Sequence, residues 1–135
     1  MNRIVERRYN LKELVFSEGN PGICLFVVKQ GAVEVFTEID EDLTIHATVP
    51  EGGLFGEMSV ISLSSRSMAA RAETQGTILL ALSKFDLDAL SERHPKDAIH
   101  LVKGITDTIA ANLVTTTRKL NEIQQAYDEL LASQE

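Results

Sequence analysis

The sequence predicts a mainly β protein: an antiparallel jelly-roll barrel, or double-stranded β-helix, followed by a short helix and a long helix. Three observations support this prediction. Short apolar strands recur between glycine-containing turns as far as residue 82, a helix-capping serine stands at position 83, and an apolar stripe with helical spacing runs from Ile109 to Leu130. Many short strands separated by glycine turns are typical of antiparallel rolls and barrels.

The strands are recognised by alternating apolar and polar residues and by the turn formers between them. Leu43, Ile45 and Ala47 alternate with polar residues in the clearest period-two pattern of the chain. The segment 18–22 holds two glycines and a proline, which favour a turn. The acidic segment 37–42 is expected to be a solvated turn, because it lacks the glycine and the final glutamate of a calcium loop. The predicted strands lie at residues 4–16 (one or two strands), 23–28, 33–36, 43–49, 69–74 and 77–82.

Two helices are expected after the last strand. Ser83 is a good N-cap, and Asp86 three residues later completes a short version of the capping box. Pro95 is tolerated in the first turn of a helix, so the second helix is expected to begin there. Its apolar positions lie alternately four and three residues apart, as in a coiled-coil seam. The resulting apolar stripe is expected either to pack on the barrel or to pair with the same helix of a second chain. These seam positions are Ile109, Leu113, Thr116, Leu120, Ile123, Tyr127 and Leu130.

Length and charge indicate one globular domain. The 135 residues are enough to bury a core, with residues 1–82 as the β-barrel and residues 83–135 as the hinge and dimer helices of the same domain. A net charge of −7 argues against direct binding to nucleic acid or to an acidic membrane surface. Cys24 lies in an apolar run and is expected to be buried. Neither a signal peptide nor a membrane span is recognisable, so a cytoplasmic location is expected.

The stretch from Phe55 to Ala72, FGEMSVISLSSRSMAARA, holds the candidate ligand site. Gly56 exposes backbone N–H groups where a short helix would begin, and Arg66 can clamp a phosphate with two parallel hydrogen bonds. Glu57 can accept a hydrogen bond from a sugar hydroxyl. These residue types fit an anionic ligand that carries hydroxyl groups. A surface arginine and a helix-capping glutamate beside a glycine turn are the alternative interpretation.

Three motifs occur in order along the chain: FSEGNPG at 16–22, VKQGAVEV at 28–35, and FGE with a later RS within 55–67. The first two look like the F-x-E-G-D-x-G and I-x-x-G-x-V-x-V signatures of cyclic nucleotide-binding domains, and the third is similar to the phosphate-binding cassette of that family. Residues 85–95 and the helical tail resemble the hinge and the C-terminal helix of the family. The chain therefore resembles a cyclic nucleotide-binding domain of the catabolite-activator type over nearly its whole length.

The resemblance implies a regulatory sensor for a cyclic nucleotide, with cAMP preferred over cGMP, and not an enzyme. Arg66 would hold the cyclic phosphate and Glu57 the ribose 2′-hydroxyl, with no metal or other cofactor. In such relatives the base lies against polar residues of the dimer helix, here Thr116 and Thr117, so that ligand binding is coupled to the helix of a homodimer. The ligand-binding residues implied are Phe55, Gly56, Glu57, Met58, Ser59, Arg66, Ser67, Met68, Thr116 and Thr117.

Two positions depart from the family pattern, since Ser65 stands where proline is frequent and Met68 where a small residue is usual. These two departures leave open the alternative that the chain is a degenerate cyclic nucleotide-binding fold that serves only as a dimerisation module. The helix that usually precedes the first strand in the family is not recognisable in the sequence. No helix-turn-helix is recognisable after the dimer helix, so DNA binding is not expected of the isolated chain. A metal-dependent jelly-roll enzyme is the catalytic alternative. It requires clustered ligands, whereas His46, His94 and His100 have no paired spacing.

Overall fold

The structure is a computed structural model that describes residues 4–62 and 65–134 of the chain. Within these residues it contains eight strands and three helices. Strands occupy most of the chain before residue 84, and helices occupy most of the chain after it. In chain order the elements are β1 (Val5–Tyr9), β2 (Leu14–Phe16), β3 (Cys24–Gln30), β4 (Val33–Ile39), β5 (Asp42–Val49), β6 (Leu54–Phe55), α1 (Glu57–Ser62), β7 (Ala69–Ala72), β8 (Thr77–Ser83), α2 (Lys84–Arg93) and α3 (Pro95–Ala132).

The strands form two four-stranded sheets rather than one closed barrel. The strand order is β1-β8-β3-β6 in the first sheet and β2-β7-β4-β5 in the second, and every paired strand is antiparallel. Val5 lies opposite Ala81, so the first strand of the chain pairs with the last. Strands distant in sequence are thus neighbours, as in a jelly roll. The predicted fold class is confirmed, although the roll is built from two separate sheets.

The core contains residues from both sheets. Leu79, Val28 and Val33 are fully buried and belong to one apolar cluster. Phe26 and Phe55 stack with their ring centroids 5.3 Å apart. Leu79 and Val28 stand in continuous apolar runs, and burial in β3 and β8 extends to neighbouring residues rather than to alternate ones.

Strand β5 lies at an edge of the second sheet and is more exposed than its alternation predicts. Leu43 and Ile45 remain 38% and 47% exposed. The strand is joined to β4 by a turn in which Asp40 and Glu41 both have positive φ, 50° and 70°. This turn is solvent-exposed but shorter than the turn predicted at 37–42, because β4 continues to Ile39 and β5 begins at Asp42. Positive φ at both central residues is the geometry of a tight hairpin turn, which glycine and asparagine adopt more easily than glutamate.

A charged cluster crosses β4 and β7 where the sequence suggests an ordinary half-buried strand. Glu34 lies opposite Arg71 in the sheet register, and Arg71 Nε donates to Glu34 Oε2 at 2.8 Å. Lys12 Nζ lies 3.6 Å from the same oxygen. The hydrogen bond from Arg71 lowers the pKa of Glu34 below its ordinary value, against the opposing effect of burial.

Strand β7 ends at Ala72, two residues before its predicted end.

The helix boundaries agree with the local sequence signals. Ser83 Oγ accepts from the Asp86 backbone N–H at 3.1 Å, and the Ser83 backbone N–H donates to Asp86 Oδ2 at 2.8 Å. This reciprocal capping box starts α2, as predicted. Helix α3 begins at Pro95, also as predicted. None of the described helices has both the length and the apolar character needed to cross a membrane.

The chain separates into two compact units, residues Met1–Ile99 and His100–Glu135. The first contains both sheets, α1, α2 and the start of α3. The second is the remainder of α3, which has an exposed apolar stripe that includes Leu113, Leu120 and Ile123. The predicted organisation, with residues 1–82 and 83–135 as parts of one domain, stays a prediction.

Candidate functional site

Gly56 stands between the end of β6 and the start of α1 and has a φ of +78°. This left-handed conformation is easy for glycine and costly for other residues. A Cβ atom at this position would lie 2.7 Å from Arg66 Nη1, which is closer than a normal contact. Glycine is therefore favoured here by its backbone conformation, and a side chain at this position would also force the end of the buried Arg66 side chain to move.

The backbone of Arg66 joins the cassette to the loop between β2 and β3. The Arg66 N–H donates to the Asn20 carbonyl oxygen at 2.8 Å, and the Gly19 N–H donates to the Arg66 carbonyl oxygen at 2.8 Å. Pro21 and Ser65 form an isolated bridge beside this pair. The first and third sequence motifs, predicted separately along the chain, thus meet in the folded protein.

The Arg66 guanidinium is held inside the protein by three groups. Nη1 donates to the Gly56 carbonyl oxygen at 2.7 Å, and Nη2 donates to the Cys24 carbonyl oxygen. The guanidinium carbon lies 4.2 Å from the centroid of the Phe16 ring, a distance typical of a cation–π contact. Arg66 is only 5% exposed, and its Nε is buried without a hydrogen-bond partner in the described part of the chain. Burial lowers the pKa of Arg66 from its ordinary value, but an arginine side chain remains protonated in proteins.

Glu57 is the first residue of α1 and is 4% exposed. Burial raises the pKa of Glu57 above its ordinary value, while a hydrogen bond from its own backbone and the positive charge of Arg66 act in the opposite direction. A buried carboxylate can accept strong hydrogen bonds from hydroxyl groups. The structure therefore places the Glu57 carboxylate close enough to the Arg66 cation for their charges to interact.

The other cassette residues predicted from the sequence differ in exposure. Phe55 and Ser59 are buried, and Phe55 belongs to the core cluster. Met58 and Ser67 are exposed, and Met68 is half-buried. Residues 63 and 64 of the cassette lie outside the described residues. Arg66 and Glu57 are therefore buried, whereas solvent reaches the side chains of Met58 and Ser67 directly.

Thr116 and Thr117 lie on α3 in the second compact unit, and both are exposed. Their predicted contact with a nucleotide base stays a prediction. The three histidines are also dispersed along the chain, and His46 Nε2 lies 2.7 Å from Thr37 Oγ1. Among residues 4–62 and 65–134, no group of three histidine, cysteine, aspartate or glutamate side chains is arranged to hold a metal ion.

Two contacts of Arg66 were not anticipated from the sequence. Phe16 is the first residue of the FSEGNPG motif, but the motif does not predict the contact between its ring and Arg66. Cys24 was predicted to be a buried apolar residue, whereas it is half-buried and supplies a backbone acceptor to Arg66. A carbonyl group is present in every residue, so no sequence signal could have identified this contact.

Residues 6–94 match the family model of the cyclic nucleotide-binding domain. This match extends over more than half of the chain and contains both the β2–β3 loop and the whole cassette. The two antiparallel sheets, the capped helix α2 and the buried arginine of the cassette accompany it in the structure. The chain belongs to the cyclic nucleotide-binding domain family.

Similar proteins include two from Thermus thermophilus and one from Xanthomonas campestris. The cyclic AMP receptor protein of Thermus thermophilus is 36% identical over 96 residues, which make up 70% of this chain and 44% of that protein. The solved catabolite activator protein of Thermus thermophilus has a TM-score of 0.75 at 30% identity, covering 90% of this chain and 55% of that one. The c-di-GMP-responsive regulator CLP of Xanthomonas campestris has a TM-score of 0.77 at 28% identity, covering 87% and 58%. The chain thus spans less than two thirds of the length of these relatives.

The contact between Gly56 and Arg66 leads to a prediction with a matched control. We expect Gly56→Ala to destabilise the protein more than Gly52→Ala, because Gly52 has a similar φ of +82° but open space at the Cβ position. The backbone cost common to both variants is about 1–2 kcal/mol. Overpacking against Arg66 adds about 1–3 kcal/mol in Gly56→Ala. Urea unfolding of both variants measures the difference, and equal destabilisation would contradict the close contact.

Proposed function

We propose that the chain senses a 3′,5′-cyclic nucleotide, with cAMP preferred, and has no catalytic role. The observation that carries this proposal is the buried guanidinium of Arg66, whose Nε has no hydrogen-bond partner among the residues that the structure describes. A buried cation with an unused donor is unfavourable unless an anion neutralises it. The phosphate of a cyclic nucleotide is a monoanion, so one arginine with nearby backbone N–H groups can bind it without a metal.

Within this site each residue has a defined role. Arg66 binds the cyclic phosphate, and Glu57 accepts a hydrogen bond from the ribose 2′-hydroxyl. The backbone near Gly56 and Met58 and the hydroxyl of Ser67 add donors. Exposed Ser67 is reached from solvent, whereas Glu57 and Arg66 are buried. A phosphate can bind Arg66 in one of two ways. Either phosphate oxygens replace the carbonyl oxygens of Gly56 and Cys24 as acceptors, or Arg66 Nε donates to a phosphate oxygen.

The preference for cAMP is supported by the Thermus relative, which is named a cyclic AMP receptor protein. The Xanthomonas regulator is responsive to c-di-GMP. Ligand titrations of this chain should therefore compare cAMP, cGMP and c-di-GMP. A fold that has lost its ligand and only dimerises is the competing hypothesis, and it predicts that none of the three binds.

Arg66→Ala should abolish most cyclic nucleotide binding, because it removes the buried cation that meets the phosphate. Removing one partner of a buried charged pair costs about 2–5 kcal/mol, which corresponds to roughly thirty-fold to a few thousand-fold in affinity. Arg93→Ala, which removes an exposed arginine at the end of α2, is the matched control and should bind normally. Isothermal titration calorimetry measures both affinities. Near-normal binding by a folded Arg66→Ala variant would reject the assignment.

The proposed regulatory output includes a homodimer formed through α3. Leu113, Leu120, Ile123, Tyr127 and Leu130 are each more than half exposed in the single chain. Their four-and-three spacing presents one apolar seam on a 38-residue helix, and such seams are normally buried against a partner helix. Closed two-fold dimers are the commonest homo-oligomers. A second copy of the chain is therefore the proposed partner of this seam.

Replacing Leu120 and Ile123 together with Asp should convert the dimer into monomers, because four carboxylates would then lie in the seam. The control is the pair Asn121→Asp and Gln125→Asp, which adds the same charge at exposed positions of α3 outside the seam. Light scattering gives the mass of each protein. A monomer for the unmodified chain would contradict the dimer.

The base is proposed to contact Thr116 and Thr117, whose hydroxyl groups can accept from the adenine amino group or donate to a ring nitrogen. The double variant Thr116→Val, Thr117→Val should reduce the preference for cAMP over cGMP by about two- to tenfold, since one or two net hydrogen bonds are lost. Calorimetry with both nucleotides on the wild type and the variant measures this ratio. An unchanged ratio, or tighter cGMP binding by the wild type, would contradict the proposed base contact.

If the base does contact α3, the nucleotide favours the position of α3 that completes its pocket. Nucleotide binding and the position of α3 are then thermodynamically coupled. The cytoplasmic location predicted from the sequence stays a prediction.

A further inference from the structure

The side chain and the backbone of Arg66 are both held by one short segment of the chain, residues 16–20. The guanidinium carbon lies over the ring of Phe16, 4.2 Å from its centroid. The backbone N–H of Arg66 donates to the Asn20 carbonyl oxygen, and the Arg66 carbonyl oxygen accepts from the Gly19 N–H. The main chain and the charged end of Arg66 are therefore attached to the same segment, which fixes where the charge lies.

The core of the protein in turn holds the ring of Phe16. Its centroid lies 6.0 Å from the centroids of Phe26 and of Phe55, and both of these residues are buried. The Phe26 ring also approaches Arg66, but its centroid is 5.8 Å from the guanidinium carbon, near the limit of a cation–π contact. Phe16 therefore provides the closer of the two contacts, and a buried aromatic cluster supports it.

An aromatic ring holds a cation without neutralising it. The negative π face of the ring attracts the cation, but the ring has no net charge and no oxygen acceptor. The other groups that hold the guanidinium of Arg66 are the carbonyl oxygens of Gly56 and Cys24, which are also uncharged. Arg66 is thus fixed in position while its positive charge stays available to an anion.

Arg71 shows the opposite arrangement. Its guanidinium carbon lies 4.8 Å from the centroid of the Phe36 ring, and its Nε also donates to Glu34 Oε2 at 2.8 Å. The charge of Arg71 is therefore compensated by a carboxylate. Among the residues that the structure describes, no carboxylate is within ion-pair distance of Arg66, and Glu57 acts on it only from farther away.

We propose that Phe16 is a positioning residue of the anion site, whose ring holds the guanidinium of Arg66 in place for an incoming phosphate. This inference rests on the proposed nucleotide site and adds to it a residue outside the cassette. Ordering a long side chain costs free energy on binding, and the cost is smaller when the side chain is already ordered in the free protein. Phe16 therefore raises the affinity for the nucleotide through Arg66.

Pentafluorophenylalanine at position 16 separates the cation–π contact from ordinary packing. It keeps nearly the shape of the natural ring, but the fluorine atoms withdraw electrons from the π face, which then no longer attracts a cation. The affinity for cAMP, measured by calorimetry, should fall roughly five- to thirtyfold, as expected for a desolvated cation–π contact. An unchanged affinity would mean that Phe16 serves packing alone and would overturn the proposal.

Two natural substitutions make the same comparison. Phe16→Leu keeps an apolar side chain without a π face, so it should weaken cAMP binding by a similar factor. Phe16→Tyr keeps the ring and should bind cAMP like the wild type. An equal loss of affinity in both variants would indicate damage to the packing of the aromatic cluster and would contradict a role of the π face.

Phe36 supplies the matched control, because its ring contacts Arg71 in the second sheet. Pentafluorophenylalanine at position 36 should leave the affinity for cAMP unchanged. The same loss of affinity at positions 16 and 36 would show a general effect of fluorination and would contradict a specific role of Phe16.

A measurement without nucleotide separates this inference from the proposed function. The exchange of the Arg66 Nε proton with water, followed by ¹⁵N NMR, reports how often the guanidinium leaves its position. Fluorination at Phe16 should speed this exchange about fivefold or more and should not change the exchange at Arg71 Nε. An unchanged rate at Arg66 would show that Phe16 does not hold the guanidinium and would overturn the proposal. If the wild type binds no cyclic nucleotide, the proposed function fails, and the exchange rates still decide whether Phe16 positions Arg66.

Discussion

The burial of the Arg66 guanidinium is the interaction on which the geometry of the site depends. Its hydrogen bonds reach the carbonyl groups of Gly56 and Cys24, and its cationic face lies on the ring of Phe16. These three partners belong to separate parts of the chain, so one side chain ties the start of α1 to β2 and β3. A cation in this position must be compensated, because isolated buried charge is strongly unfavourable. Carbonyl dipoles and an aromatic ring stabilise it only in part, and this leaves the site suited to an anion.

Backbone geometry and side-chain chemistry support each other around this arginine. Gly56 adopts a positive φ that turns the chain from β6 into α1, and its missing side chain leaves room for Arg66. The hydrogen bonds between Arg66 and the Gly19–Asn20 segment fix the cassette backbone against the β2–β3 loop. The same residues therefore stabilise the fold and shape the site.

Local features could be predicted from the sequence, and features that depend on tertiary contacts could not. The capping box of Ser83 and Asp86 and the start of α3 at Pro95 follow from neighbouring residues alone, and both occur in the structure. The glycine, glutamate and arginine of the cassette can be selected as candidates from the sequence, because their chemistry follows from residue type, and their binding roles stay predictions. The exposure of Leu43 and Ile45 follows from the edge position of β5, and the ion pair of Glu34 with Arg71 follows from strand register. Neither pairing nor register can be deduced from alternation alone, since alternation specifies a face and not a neighbour.

The strand order has a consequence for how the protein is made. In the first sheet β8 lies between β1 and β3, and in the second sheet β7 lies between β2 and β4. These two central strands are the last strands of the chain, whereas the strands on either side of them are synthesised first. On the ribosome β1, β2, β3 and β4 therefore emerge before the strands that join them into sheets. Until residues near Ser83 leave the exit tunnel, the nascent roll exposes unpaired strand edges and apolar faces, which are the surfaces that chaperones bind and that promote aggregation.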